Sequence, residues 1–318
     1  MNSKKSLIAK WQNNELDELD PVRVVATIEA RCNLACLHCY WSHDMKFASA
    51  SDWTGAVSKI KQLGQPLIYA GRILGQAGAG FLEECVRQNV PISIIDNGYT
   101  ILTQPEFLPL YRDINISIDG WRDAHDVQRG RVGAFDKAWS TVLELKKQGF
   151  DPTVSAAFSP LSFEGWERFE NLLAEHDVPL SSTLVWSLPE TAKRGTAVLQ
   201  GAEMIRKAFD QLKGGIPKLI NLYANEHVAA LRPVLKELEW SEDQSDGDCL
   251  AAALGNQTTI LYRPPSVVAV GELALHWNGD FYAAPDEGPK VPLAKVDRAY
   301  FDYVKKTNAA ELKCWNGE

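Results

Sequence analysis

The sequence predicts an α/β protein built on a parallel sheet, and three observations predict it. Short apolar runs of strand length alternate with amphipathic runs of helix length from Pro21 to about residue 200. Six strands alternating with helices in this way imply βα units, which lay their strands side by side in one direction. The 318 residues, 45% apolar and 23% charged, are those of an ordinary globular chain long enough to bury a large core.

Taken in order, residues 1–20 are polar and acidic and are expected to form an N-terminal tail or one short helix. Strands are predicted over 22–28, 66–70, 92–95, 114–118, 153–158 and 182–186. Helices are predicted over 52–63, 78–88, 134–148 and 162–176. From Gly201 the pattern changes: two helices, 202–212 and 225–239, precede an acidic loop at 241–248. Two β-like runs follow, 258–262 and 267–277, and Asn278-Gly279 flanked by aromatic residues signals a hairpin. A last helix is expected over 297–306. The chain therefore divides into a tail (1–20), an α/β part (21–200) and a smaller α+β cap (201–318).

Charge and hydropathy exclude several function classes. The net charge of -8, with no basic stripe, argues against nucleic-acid binding. No run approaches the roughly 20 apolar residues of a membrane span, and the N-terminus lacks a signal peptide's apolar core. A cytoplasmic protein is the expectation. Six cysteines, three of them within eight residues, point to a metal site rather than a disulfide framework. Cys85, in an amphipathic run, is expected to be a plain buried thiol.

The stretch Arg31-Cys32-Asn33-Leu34-Ala35-Cys36-Leu37-His38-Cys39-Tyr40 follows the first predicted strand directly. Three thiolates on one tight loop make a site for a soft metal. A zinc site would add His38 or His43 as fourth ligand. Structural zinc sites usually pair two short ligand knuckles, and no second knuckle follows. The spacing CxxxCxxC, with His38 just before the last cysteine, resembles the radical S-adenosylmethionine (radical SAM) superfamily. Its members bind a 4Fe–4S cluster through three cysteines and leave one iron for S-adenosylmethionine.

Further motifs extend the resemblance in chain order. Ala70-Gly71-Arg72 stands where the family commonly carries Gly-Gly-Glu, whose backbone meets the methionine amino group; here arginine replaces the acid. Asp96-Asn97-Gly98 resembles the family's Thr-Asn-Gly turn, and Ser117-Ile118-Asp119-Gly120 the Ser-Leu-Asp-Gly of peptide-maturing members. His125-Asp126, Arg129-Gly130 and Gly133-Ala134-Phe135-Asp136 complete the run. A glycine-rich loop, Gly71 to Gly80, is loosely Rossmann-like, but it lacks the GxGxxG spacing and leaves the cysteines unexplained.

The resemblance implies a partial (βα)6 TIM-like barrel with a small α+β C-terminal cap. It implies one 4Fe–4S cluster on Cys32, Cys36 and Cys39. It places S-adenosylmethionine among His38, Ala70, Gly71, Asn97, Ser117, Asp119 and Arg129, with Ser117 and Arg129 meeting its ribose or carboxylate. Reductive cleavage of S-adenosylmethionine would yield a 5′-deoxyadenosyl radical that takes hydrogen from the substrate. Residues 273–285 resemble part of the SPASM extension of peptide-modifying members, with Ala284 where an auxiliary-cluster cysteine would stand. Cys249 and Cys314, about 65 residues apart, are too few to hold a second cluster. Cys249 and Tyr282 are candidate hydrogen donors to a substrate radical, and Trp41, Trp277, Phe281 and Tyr282 candidate lining residues.

A ribosomally made peptide is the leading substrate, and a sugar or amino-acid-derived small molecule the alternative. The resemblance also implies a reductant such as flavodoxin or ferredoxin. With about 20 residues before the first strand, a separate leader-peptide-binding protein is an expected partner. A pseudoenzyme that keeps the cluster without turnover is the reading that Arg72 leaves open.

Overall fold

A computed structural model describes residues 23–29, 32–39, 50, 52–63, 66–68, 76–185, 198–223, 234, 237–238, 240–242, 250–263, 272–283 and 290–291. The expected N-terminal tail, most of the helix at 225–239, and the last helix lie outside these residues.

Seven strands follow one another in the sheet in chain order. They are β1 (Arg23–Thr27), β2 (Pro66–Ile68), β3 (Ile92–Asp96), β4 (Tyr111–Ser117), β5 (Thr153–Phe158), β6 (Leu180–Leu184) and β7 (Lys218–Tyr223). Every neighbouring pair among them is parallel. The connections carry α1 (Thr54–Leu63), α2 (Gln76–Gln88), α3 (Arg122–Arg129), α4 (Ala134–Lys147), α5 (Trp166–Glu175) and α6 (Gly201–Leu212). The six strands and four helices predicted before residue 200 are thus present, with ends shifted by a few residues.

The remaining strands are β8 (Trp240–Glu242), β9 (Leu250–Leu254), β10 (Thr258–Arg263), β11 (Glu272–His276), β12 (Phe281–Ala283) and β13 (Lys290–Val291). They extend the same sheet at both edges. β10 pairs parallel with β7 and is followed outward by antiparallel β9 and β8. β11 pairs parallel with β1, placing His276 beside Thr27, and the hairpin β11–β12 then leads to β13. The cap strands are therefore built onto the sheet that carries the cysteine loop.

Four strands differ from the sequence expectation, among them β13, where no strand was expected. β7, Lys-Leu-Ile-Asn-Leu-Tyr, was not foreseen, because Asn221 interrupts its apolar residues and leaves neither clean alternation nor a continuous apolar run; pairing with β6 and β10 decides it. β9, Leu-Ala-Ala-Ala-Leu, is poor in strand-favouring residues, so pairing with β10 decides it. Ser241 and Glu242, expected in an acidic loop, lie in β8.

The sheet has two unlike faces. Val24, Ala26 and Ile28, Ile92 and Ile94, Ile114 and Ile116, Val154 and Ala156, and Leu180 and Leu184 share one core with helix residues such as Ile60, Phe81, Val142 and Phe169. Each such fully buried side chain contributes roughly 1.5–3 kcal/mol. By the two-residue period of a strand, the other face carries Thr27 and Glu29, Asn115 and Ser117, Ser155, Ser181 and Thr183, Asn221 and His276. Among the described residues no helix is long and apolar enough to cross a membrane.

Candidate functional site

The cysteine loop leaves the C-terminal end of β1, the end at which parallel sheets present their ligand-binding loops. Cys36 is buried, while Cys32 and Cys39 are half-buried, and none of the three is in a disulfide. Leu34 anchors the loop in the interior, and its N–H donates to Cys32 Sγ at 3.3 Å.

The loop is held from two sides. On the first side stands the turn after β3. Asn97 donates from Nδ2 to Asn33 Oδ1 at 2.8 Å and reaches Cys32 Sγ at 3.9 Å. Asp96 holds that turn through the Gly98 N–H at 2.5 Å and the Thr100 hydroxyl. Among the described residues no cation stands against it, and burial pushes the Asp96 carboxyl up to about 6. Arg131 lies over the Tyr99 ring at 4.6 Å and donates to Asn33 O at 3.2 Å, which ties the turn to the loop.

On the second side stands α3, a short helix whose inward face is His125, Gln128 and Arg129 at helical spacing. Gln128 O accepts from Leu37 N at 2.8 Å. The Gln128 side chain is itself fixed, donating to Ala157 O at 2.6 Å and accepting from the Ser159 hydroxyl. Gly130 ends the helix with φ at +65°, and a Cβ there would stand 2.5 Å from Ala35 O. Glycine is needed at that position both for the left-handed turn and for the close approach of the loop. Asp126 accepts from Gly133 N at 2.6 Å and Phe135 N at 2.8 Å, capping α4. The run from His125 to Phe135 thereby acquires a local structural reason.

Between helix and loop lies a buried ion pair. Arg129 Nε and Nη2 each meet an Asp119 carboxylate oxygen at 2.6 Å, and Nη1 faces Cys36 Sγ at 3.9 Å. Asp119 is 1% exposed and Arg129 9%. Burial alone would raise Asp119, but the Arg129 guanidinium outweighs it and holds the carboxyl at about 2. Burial lowers His125 to about 4, which agrees with its Nδ1 accepting from Asp119 N at 3.0 Å. Burial pushes the Cys36 thiol up, and Arg129 pulls it the other way.

These contacts bring Cys32, Cys36, Asn97, Asp119 and Arg129 together, and Cys39 is tied to Cys36 through its backbone, its N–H donating to Cys36 O at 3.2 Å. Ser117, 8% exposed, sits at the end of β4 two residues before Asp119. His38 lies on the loop with Nδ1 buried and, among the described residues, without a hydrogen-bond partner. Cys85 is fully buried as expected, and burial pushes its thiol up. Ala70, Gly71, Arg72, Cys249, Trp41 and Ala284 lie outside the described residues. Tyr282 is placed only by the backbone of β12, paired with Ala274. The fork of Arg129, expected to receive a cofactor carboxylate, is taken up by Asp119. Gln128, Asn33 and Arg131 escaped the sequence reading; only the spacing of Gln128 from His125 on one helix face could have pointed to one of them.

No family model matches the chain. Two curated relatives do. Fe-coproporphyrin III synthase of Methanosarcina barkeri is 23% identical over 167 residues, covering 49% of this chain and 42% of its own. The sporulation killing factor maturation protein SkfB of Bacillus subtilis is 20% identical over 312 residues, covering 95% of this chain and 69% of its own. The chain thus spans under half of the first relative and about two thirds of the second. Among solved structures, Streptococcus suis SuiB bound to its precursor peptide SuiA superposes with a TM-score of 0.60 at 14% identity, over 94% of this chain and 68% of that one. SuiB without the peptide gives 0.61 over 90% of this chain. The curated relatives are radical SAM enzymes, in agreement with the resemblance carried by the cysteine loop.

Enzymes of that superfamily use a 4Fe–4S cluster and S-adenosylmethionine, and the residues present fit the cluster. Three thiols on one loop, with side-chain N–H donors facing two of the sulfurs, suit a cluster of that kind.

Proposed function

We propose that this chain is a radical SAM enzyme that takes hydrogen from a ribosomally made peptide during its maturation. The observation that carries the reading is the docking of the CxxxCxxC loop, at the end of β1, onto α3 and the turn after β3. When bound, the cluster and S-adenosylmethionine would supply a one-electron reductive cleavage that yields a 5′-deoxyadenosyl radical. Cys32, Cys36 and Cys39 would hold the cluster. Ser117, at the end of β4, and the backbone at Ala70 and Gly71 would orient S-adenosylmethionine, with Asn97 fixing the loop beside it. The polar face of the sheet, rather than the helix-covered face, would receive the substrate. Strands in unbroken chain order from β1 to β7 support a curled, open barrel of the partial (βα)6 kind, since open doubly wound sheets reverse their order.

Two likenesses support a peptide substrate: SkfB is a maturation protein, and SuiB binds a precursor peptide in a fold that covers most of this chain. A flavodoxin or ferredoxin as reductant, a separate leader-binding partner and a cytoplasmic setting complete the reading. The match to Fe-coproporphyrin III synthase favours a small-molecule substrate as second reading. Reconstituted, reduced protein incubated with S-adenosylmethionine and each candidate class decides between them. Release of 5′-deoxyadenosine stimulated by a precursor peptide, and abolished in Cys36→Ala, is the expected result. Stimulation by small molecules alone sinks the peptide reading, and absence of a cluster in wild-type protein sinks both.

A further inference from the structure

The buried pair Asp119–Arg129 does more than join β4 to α3. Two of the three guanidinium nitrogens are spent on the carboxylate, and the third is left facing Cys36 Sγ at 3.9 Å. The carboxylate cannot swing away. Its Oδ1 also accepts from Ala157 N at 3.0 Å, the Asp119 N–H donates to His125 Nδ1 at 3.0 Å, and Asp119 O accepts from the Ser162 hydroxyl at 2.8 Å. The helix that carries Arg129 is itself locked to the loop by Gln128 O and Leu37 N. A positive charge is therefore held at one cysteine sulfur by a preformed scaffold. Among the described residues, the side-chain donor that approaches Cys32, on the opposite side, is the neutral amide of Asn97.

We propose that Arg129 sets the reduction potential of a cluster bound through Cys36, and that Asp119 is the positioning residue that holds the guanidinium against that sulfur. The inference rests on the cluster assignment made above and adds to it a role for the pair distinct from binding S-adenosylmethionine. Its physical basis is charge. Taking up one electron makes the cluster more negative and breaks no bond, so a fixed cation beside a ligating sulfur favours the reduced form. Hydrogen bonds to the sulfurs and local charge are the levers by which a protein moves such a potential. Within a buried site the effect is weakly screened. Asp119 moderates the charge it positions, because its own negative charge lies farther from the sulfur than the guanidinium does.

The test is a spectroelectrochemical titration of the reconstituted cluster without S-adenosylmethionine, with iron and sulfide counted per chain. In Arg129→Gln the reduced form should be disfavoured at least tenfold, a fall of about 59 mV or more for a one-electron couple. In Asp119→Asn the guanidinium keeps its charge and loses its counter-charge, so the potential should move in the opposite direction. Arg129→Lys, which keeps the charge without the fork, should fall between wild type and Arg129→Gln. A purely structural role would lower cluster content without moving the two potentials in opposite directions. Equal potentials at equal iron content in all variants would overturn the inference while leaving the cluster assignment intact. Should Arg129→Gln fail to hold a cluster, Asp119→Asn and Arg129→Lys decide, and wild-type potentials in both would overturn it. Wild-type protein that takes up no iron and sulfide sinks the cluster assignment as well.

Discussion

Two buried ion pairs divide the molecule between them. At the C-terminal ends of the strands, Asp119 and Arg129 meet at 2.6 Å. At the N-terminal end of β7, Lys218 Nζ meets Glu170 Oε1 of α5 at 2.7 Å, with both side chains almost fully buried. The distances are alike, but the surroundings differ. Lys218 is surrounded by acceptors: Leu212 O at 2.9 Å, Gly214 O, and the Thr258 hydroxyl at 3.5 Å. Glu170 takes the Trp166 indole N–H at 2.9 Å as well. That pair closes on itself and staples β7 and β10 to α5 and α6. The Asp119–Arg129 pair instead turns a nitrogen towards a thiol. A buried charge whose partners are all structural is a clamp; one with a donor aimed at a reactive group is part of a site.

Removing one partner of the clamp should give the largest effect on folding. Lys218→Ala leaves Glu170 buried without its cation, and a loss of about 3–5 kcal/mol is expected by urea unfolding. Its cluster content, measured below the unfolding transition, should match wild type. A Lys218→Ala protein that folds normally but cannot hold iron would break the contrast.

A second prediction sets the paired carboxylate against an unpaired one. Asp96 is buried with no cation facing it among the described residues, and burial pushes its carboxyl up to about 6 in the fold, well above the ordinary carboxylate range. The folded chain thus holds its proton more tightly than the unfolded chain does. That contribution to stability is fully present below pH about 4 and is lost as the pH rises through about 6. At about 1.4 kcal/mol per unit, the stability of Asp96→Asn relative to wild type should rise by roughly 2 kcal/mol between pH 4 and pH 7. Parallel stability curves for the two proteins would show that Asp96 is already ionised in the fold.

The smallest expected effect separates two glycines. Gly130→Ala puts a Cβ 2.5 Å from Ala35 O at a positive φ, and should cost about 1–3 kcal/mol. Because the strain falls on the cysteine loop, iron uptake should fall in the same variant. Gly215 has φ at +76°, and a Cβ there would run into the Glu170 carboxylate. Gly215→Ala should therefore weaken the clamp and leave iron uptake unchanged. Loss of iron uptake in both would show that the two regions do not act separately.

Much of the site was legible before the fold was known, for reasons of covalent spacing. CxxxCxxC puts three thiols on one loop whatever surrounds it, and an apolar run just ahead puts that loop at a strand end. His125-Asp126 and Gly133-Ala134-Phe135 were legible as a motif, and the cap that Asp126 makes on α4 explains the spacing. Strand and helix alternation before residue 200 was equally plain, because each apolar face recurs at the period of its element. After residue 200 the signal weakens: the alanine-rich β9 and β7, whose apolar run Asn221 interrupts, hold their places through their sheet partners.

What the sequence determined by itself was the three-thiol loop and the order of the βα units, since both are written in residues close together along the chain. Only the tertiary structure decided where the C-terminal strands go, because β11 finds β1 and β10 finds β7 across long separations. It alone decided the partner of Arg129. From the motif that arginine was open to a cofactor carboxylate, yet in the fold Asp119, ten residues earlier in sequence, occupies two of its nitrogens and turns the third to Cys36. A side chain's spacing tells which groups lie near it along the chain. Which of them it meets depends on how strand, helix and loop are packed, and that is set by burial over the whole sheet.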